Sequence, residues 1–263
     1  KFVNPFGIGP ASNSIYFAAA ALVQTITFVH TPNIIMSPTA KAKLNATSSS
    51  GLPVSFQLVS GAATVINDSV YVTNVGTVIV KALQQGDNTY LPAAYKYDTI
   101  NVVQGSQTIN FPIISDTVFT SNPIVMNATS SAGLPVTFTI ISGNAYLFGN
   151  NIGLTGAGNI TVQANQTGNA NYNAAPPVQR TFCVGVRTLT SIQGQINPCL
   201  NTYIYTTQKI PGANYIWTLS SGGTMATHND TAFITWTVQG THTITVKANS
   251  SCDAIYSNIV SYT

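Results

Sequence analysis

Short runs of Val, Ile, Thr and Phe, in which apolar and polar positions alternate every second residue, recur along the chain between clusters of Gly, Asn, Ser and Pro. A period of two sends successive side chains to opposite faces of an extended strand, one towards a core and one towards water. The clearest predicted strands are 54–59, 76–82 and 96–103, then 136–141, 159–164 and 179–184. No window sustains a 3.6-residue apolar period with capping signals, so helices are expected to be absent or trivial. The expected class is all-β, built of sandwich modules strung into an elongated rod.

The strands belong to a tandem repeat. Asn45-Ala46-Thr47-Ser48-Ser49-Ser50-Gly51-Leu52-Pro53-Val54-Ser55-Phe56 returns 82 residues later as Asn127-Ala128-Thr129-Ser130-Ser131-Ala132-Gly133-Leu134-Pro135-Val136-Thr137-Phe138, with ten of twelve positions identical. Gly86-Asp87-Asn88-Thr89-Tyr90 matches Gly168-Asn169-Ala170-Asn171-Tyr172 at the same offset, and Gln24-Thr25-Ile26-Thr27-Phe28 matches Gln107-Thr108-Ile109-Asn110-Phe111 at 83. A fixed period outranks any single element as evidence of architecture. It sets modules at 24–105 and 106–185, a differently patterned module at 186–263, and an N-terminal segment, 1–23.

Within each repeat, Gly51 and Gly133 supply positive φ to a turn, and Pro53 and Pro135 lack an N–H and so belong where a strand begins. These residues are expected to be structural rather than a binding loop. Tyr90 and Tyr172 precede the last strand of their repeats, where a tyrosine hydroxyl can brace a corner against backbone. In the third module 201–206, 215–219, 233–236 and 242–246 read as strands, with 220–224 as a turn.

Composition narrows the chemistry. Only 6% of residues are Asp, Glu, Lys or Arg, against about a quarter in an average soluble domain, and Glu is absent altogether. The net charge of +3 arises from nine scattered Lys and Arg, so no basic patch addresses nucleic acid or an anionic membrane. The apolar stretch 15–23 is about half the length of a membrane-spanning helix. It resembles the corner of a preceding repeat and is expected to form a strand that docks on the first module or is donated to a neighbouring subunit. The chain starts at Lys1 with no signal peptide, so it is expected to be a mature product or a piece of something longer.

The two repeats resemble the immunoglobulin-like repeats of very large secreted surface proteins of Bacteroidota, among them gliding-motility adhesins and polysaccharide-degrading enzymes. The third module resembles a PKD-like domain of those proteins, with Cys199, Tyr215-x-Trp217, Gly240 and Cys252 at the characteristic places. The resemblance implies export through a type 9 system and an extracellular, cell-surface location. In that oxidising setting Cys199 and Cys252, near the start and end of one module, are expected to pair and to leave Cys183 free.

Catalysis wants paired carboxylates or a nucleophile beside its base. The six aspartates are scattered, and the repeat does not duplicate them: Asn169 stands where the first module has Asp87, and Arg180 where it has Asp98. The cysteines are too far apart for zinc pairs. His228, Asp230 and His242 could meet as a metal site, but polar residues around a turn are the simpler reading. No cofactor is expected. Four aspartates open Asp-Ser/Thr-aliphatic triplets that look like the O-glycosylation acceptor of Bacteroidota, which makes Ser69, Thr99, Thr117 and Thr231 candidate glycan carriers, with each Asp serving modification rather than the fold. The whole reads as a non-catalytic stalk or adhesin segment, a glycoprotein whose partners are neighbouring modules of the same protein, identical subunits or a surface polysaccharide. A carbohydrate-binding accessory, needing a planar row of exposed aromatics, and a filament subunit using its N-terminal strand are the alternatives. Trp217 and Trp236 lie on predicted strands and are expected to be buried.

Overall fold

A computed structural model describes residues 20–263, which are all-β, without helices. The chain divides into two compact units between Gln104 and Gly105. In the first, β1 (Ile26–Val29) pairs with β4 (Asn45–Ser48), β3 (Lys41–Lys43) lies beside β7 (Ser69–Val72) and β6 (Ala63–Ile66), and the second face is β2 (Ile34–Ile35), β9 (Lys96–Val103), β8 (Gly76–Leu83) and β5 (Ser55–Ser60) in that order. The short β2 runs parallel to β9; every other pairing is antiparallel. Alternate residues turn inward, so Val78, Val80 and Ala82 of β8 and Ile100 and Val102 of β9 form a dry core with Val70 and Leu44. Burying side chains of this size contributes about 1.5–3 kcal/mol each.

The second unit begins by repeating this topology strand for strand. β10 (Ile109–Asn110) pairs with β13 (Thr129–Ser130), β12 (Ile124–Val125) with β16 (Asn151–Leu154) and β15 (Ala145–Phe148), and β11 (Thr117–Val118) with β18 (Ala175–Gly185), β17 (Gly158–Gln166) and β14 (Thr137–Ser142). Even the bulge recurs, between Leu58 and Ser60 in one module and between Ile140 and Ser142 in the other.

The repeated motifs now have physical reasons. Gln24 is buried, and its Nε2 donates to Gln84 Oε1 and to the Leu91 carbonyl; Gln107 does the same to Gln166 Oε1 and the Asn173 carbonyl. Asp87 Oδ1 accepts the N–H groups of Thr89 and Tyr90, as Asn169 Oδ1 does those of Asn171 and Tyr172. The corner is thus held by an Asx side chain and the tyrosine's own backbone, a job that Asp and Asn do equally well. Gly51 and Gly133 have φ of 76° and 72°, in the turn where Ser48 and Ser130 hydroxyls donate to the Leu52 and Leu134 carbonyls. Pro53 and Pro135 lie exposed just ahead of β5 and β14.

Of the expected N-terminal strand, residues 15–19 lie outside the described residues. Leu22 bonds on both sides through its main chain, its N–H to the Thr89 carbonyl and its carbonyl to the Leu91 N–H. Its side chain and that of Val23 are 54% and 84% exposed, so this end of the segment docks through its main chain and not by burying these two side chains. Gly105 makes the same pair of bonds beside Tyr172, so this is how each repeat begins.

The third module is a two-sheet sandwich: β19 (Thr202–Thr206), β22 (Thr231–Trp236) and β21 (Gly223–His228) face β20 (Ala213–Leu219), β23 (Ile244–Ser250) and β24 (Val260–Tyr262). Trp217 and Trp236 are both buried, with Ile234, Ile244, Val246 and Tyr205 around them. Trp217 Nε1 donates to the Asn229 carbonyl and Trp236 Nε1 to the Tyr205 hydroxyl, so neither indole N–H is orphaned.

Candidate functional site: the junction of the second and third modules

β18 is long enough to carry the second module's sheet to its end and deliver Cys183 there. Cys183 is bonded to Cys252, just beyond β23, with Cα atoms 5.8 Å apart. This overturns the expected Cys199–Cys252 pair and leaves Cys199 as the exposed free thiol. The reason is the length of β23. Cys199 lines the far end of the module with Ile244, whereas Cys252 follows Ser250 at the near end. Seven residues of strand span roughly 20 Å, and a disulfide tolerates Cα atoms no more than about 7 Å apart.

Other bonds surround the bridge. Arg187 Nη2 donates to Asp253 Oδ2 at 2.5 Å, and Arg187 Nη1 to the Ile255 carbonyl. The Ile255 N–H, and with it Arg187, holds the Asp253 carboxyl below its ordinary pKa against a smaller upward push from burial. A side chain at Gly185 would run into that carboxylate. Asp116 Oδ1 accepts the Cys183 N–H at 2.7 Å. Across the junction Ala157 N–H donates to the Pro211 carbonyl, and Phe119 packs against the cores of both modules. Gly212, at φ 77°, lies so close to the Ala157 carbonyl that no side chain fits. The two modules therefore share a covalent bond, a backbone hydrogen bond and apolar contact, and the Arg187–Asp253 ion pair lies beside the bridge on the third module's side.

At the opposite end of the third module is a cleft of about 450 Å³ lined by Tyr205, Trp236, His242, Tyr262, Asn197 and Cys199, among others. His242 stacks on Trp236 with ring centroids 5.2 Å apart, and its two ring nitrogens meet the Ser221 hydroxyl and the Val238 carbonyl. His228 and Asp230 flank the turn at the other end of the β21–β22 hairpin, so the three residues considered for a metal are not brought together. Among the described residues no group of three His, Cys, Asp or Glu could hold a metal ion.

An aromatic pair that the sequence reading missed lies on the second module. Tyr146 and Phe148, 54% and 44% exposed, stand on one face of β15 with ring centroids 5.7 Å apart and planes 32° apart. Tyr146 lies over Gly153 on β16, leaving no room for a Cβ there. The period-two spacing of the two rings was the available signal.

Of the glycan candidates, Thr99 is exposed and Ser69, Thr117 and Thr231 are half-buried, all on strands. The idea that their aspartates serve modification rather than the fold needs correction. Asp98 is 7% exposed and accepts the buried Thr31 N–H and a contact from His30 Nδ1, Asp116 holds Cys183, and Asp68 pairs with Lys43 and Ser69. A buried carboxylate without partners would be costly, which is why Asp98 sits where it does.

Residues 186–261 match the family model described as a PKD-like domain. No curated protein matches the chain. Solved structures similar to it include Drosophila N-cadherin EC1-4, at 11% identity over 90% of this chain and 74% of that one with a TM-score of 0.29. The I9–I11 tandem of titin is 11% identical over 90% and 98%, TM-score 0.29, and the insect immune protein hemolin 9% over 90% and 75%, TM-score 0.31. The described residues form an all-β chain of tandem β-sandwich modules, and the last module matches a PKD-like domain by sequence.

Proposed function

We propose that the chain is a non-catalytic structural or adhesive segment of a large extracellular bacterial surface protein, a stalk or adhesin repeat array of the kind its motifs resemble in Bacteroidota. The observation that carries this reading is the Cys183–Cys252 bridge across a module junction. Disulfides persist in oxidising compartments outside the cytoplasm, and one placed between modules strengthens a connection rather than a catalytic centre. Its partners are then neighbouring modules of the same protein, identical subunits or a surface polysaccharide. A non-reducing peptide map of native material should show Cys183 linked to Cys252. Recovery of both as free thiols would remove the extracellular reading.

A carbohydrate-binding accessory of a secreted polysaccharide-degrading enzyme is the second reading, favoured by the exposed Tyr146–Phe148 pair, which is short of a planar row but presents two neighbouring rings, tilted 32° to each other, on one strand face. Replacing both by Ala should abolish retention on polysaccharide; unchanged retention would discard it. The filament reading rests on residues 1–23, of which 1–19 lie outside the described residues. O-glycosylation of Ser69, Thr99, Thr117 or Thr231 is a proposal that intact mass of native protein decides, since a bare polypeptide mass rejects it.

A further inference from the structure

The Cys183–Cys252 bond joins the end of the second module to a point 69 residues further along the chain. Everything from 184 to 251, including β19, β20, β21, β22 and β23, lies inside that covalent loop. From these connections we infer that the bridge is a load bypass. Tension entering through the second module leaves β18 at Cys183, crosses the sulfur–sulfur bond to Cys252, and continues through 253–263. The inference rests on the proposed structural role for its biological meaning, but its mechanics follow from connectivity alone.

The short strip left in line is anchored all along its length. Asp253 is paired with Arg187, the Asn258 N–H donates to the Arg187 carbonyl, the Asn258 side chain bonds the Leu189 N–H and carbonyl, and the Ser257 N–H donates to the Ala248 carbonyl. β24 then pairs with β23 from Val260↔Val246 to Tyr262↔Ile244. Peeling this strip can lengthen the chain by at most about 40 Å, since eleven residues extend no more than about 3.6 Å each. Without the bridge, the whole third module stands in the load path. The position is particular to the second module, because the residue equivalent to Cys183 in the first is Asn101.

The full chain, tethered at its two ends in a single-molecule force experiment, tests this. The oxidised protein should give two long extensions, from the first and second modules, and a third of no more than about 40 Å. Dithiothreitol, whose two thiols close to a disulfide as Cys183 and Cys252 each gain an electron and a proton, should lengthen the fully extended chain by about 230–250 Å, the reach of 69 residues. Cys199→Ser should leave the oxidised trace unchanged, and Cys252→Ser should reproduce the reduced one without reductant. A third long release from the oxidised protein, or no gain on reduction, would overturn the bypass. A gain of only about 175–190 Å would mean that Cys199, 53 residues from Cys252, holds the bond instead. Should native protein carry both thiols free, the extracellular role fails while the mechanics of the oxidised chain remain measurable.

Discussion

Among the positions at which the two repeats differ, two change how a buried polar side chain is satisfied. Ser50 donates its hydroxyl to Gln24 Oε1, and Ala132 stands in its place in the second module, where Gln107 Oε1 is buried with no hydrogen-bond partner. An orphaned buried acceptor costs about 1–3 kcal/mol. Ala132→Ser should therefore stabilise the second module by about 1 kcal/mol, read as slower hydrogen exchange in β17; no change would mean that the hydroxyl cannot reach. Asp98 is the second position. Burial alone would raise its pKa, but the hydrogen bonds from His30 and Thr31 outweigh it and hold the carboxyl below its ordinary 3.8. A carboxylate with a lowered folded pKa contributes stability that is present above the unfolded value and lost as pH falls through the folded one. The first module should weaken below about pH 4. Asp98→Asn keeps an acceptor for Thr31 but loses the charge, so it should cost about 1–3 kcal/mol at neutral pH and flatten that acid dependence. A variant as acid-sensitive as the parent would place the titrating group elsewhere.

Among elements, turns that look alike in sequence carry different constraints. Gly51 and Gly86 have nearly the same φ, 76° and 75°, yet a Cβ on Gly51 meets nothing within 4 Å while one on Gly86 lands on the Tyr90 carbonyl oxygen. Gly51→Ala should cost about 1–2 kcal/mol, the price of left-handed backbone. Gly86→Ala should cost clearly more in the same urea titration, because backbone must move as well; equal losses would contradict the close approach. The strands themselves were legible wherever both faces of the pattern were kept. β17 alternates apolar and polar residues, β8 and β9 keep apolar residues at nearly every inward position, and all three form where the period places them. Of β21 only Gly223 and Thr224 fall within the expected turn 220–224, and the rest carries no strand signal because it is an edge strand: only Met225 among its large side chains turns inward, so the alternation is lost. β18 begins four residues before its expected start, at Ala175, because the bulge between Ala164 and Gln166 carries the pairing on past Pro176 and Pro177.

At the level of the whole molecule, the repeat disclosed the modules, but the bond between the second and third was not legible. Pairing Cys199 with Cys252 treated a disulfide as the property of one module, and nothing in the spacing of cysteines says which pole of a sandwich each occupies. That information lies in strand direction: β23 carries the chain from the cleft at Ile244 to the junction at Ser250, and only there does Cys252 meet Cys183. The consequence for stability can be estimated. Closing a loop of 69 residues stabilises by about 4 kcal/mol in the chain-entropy view. The loop encloses β19 to β23, so the gain belongs to the third module and its junction rather than to the first unit. Reduction should shift the urea midpoint of the third module, followed by burial of Trp217 and Trp236, to lower concentration, while hydrogen exchange in β8 and β9 stays as it was. Equal destabilisation of both units on reduction would show that the bridge supports more of the chain than the loop it closes.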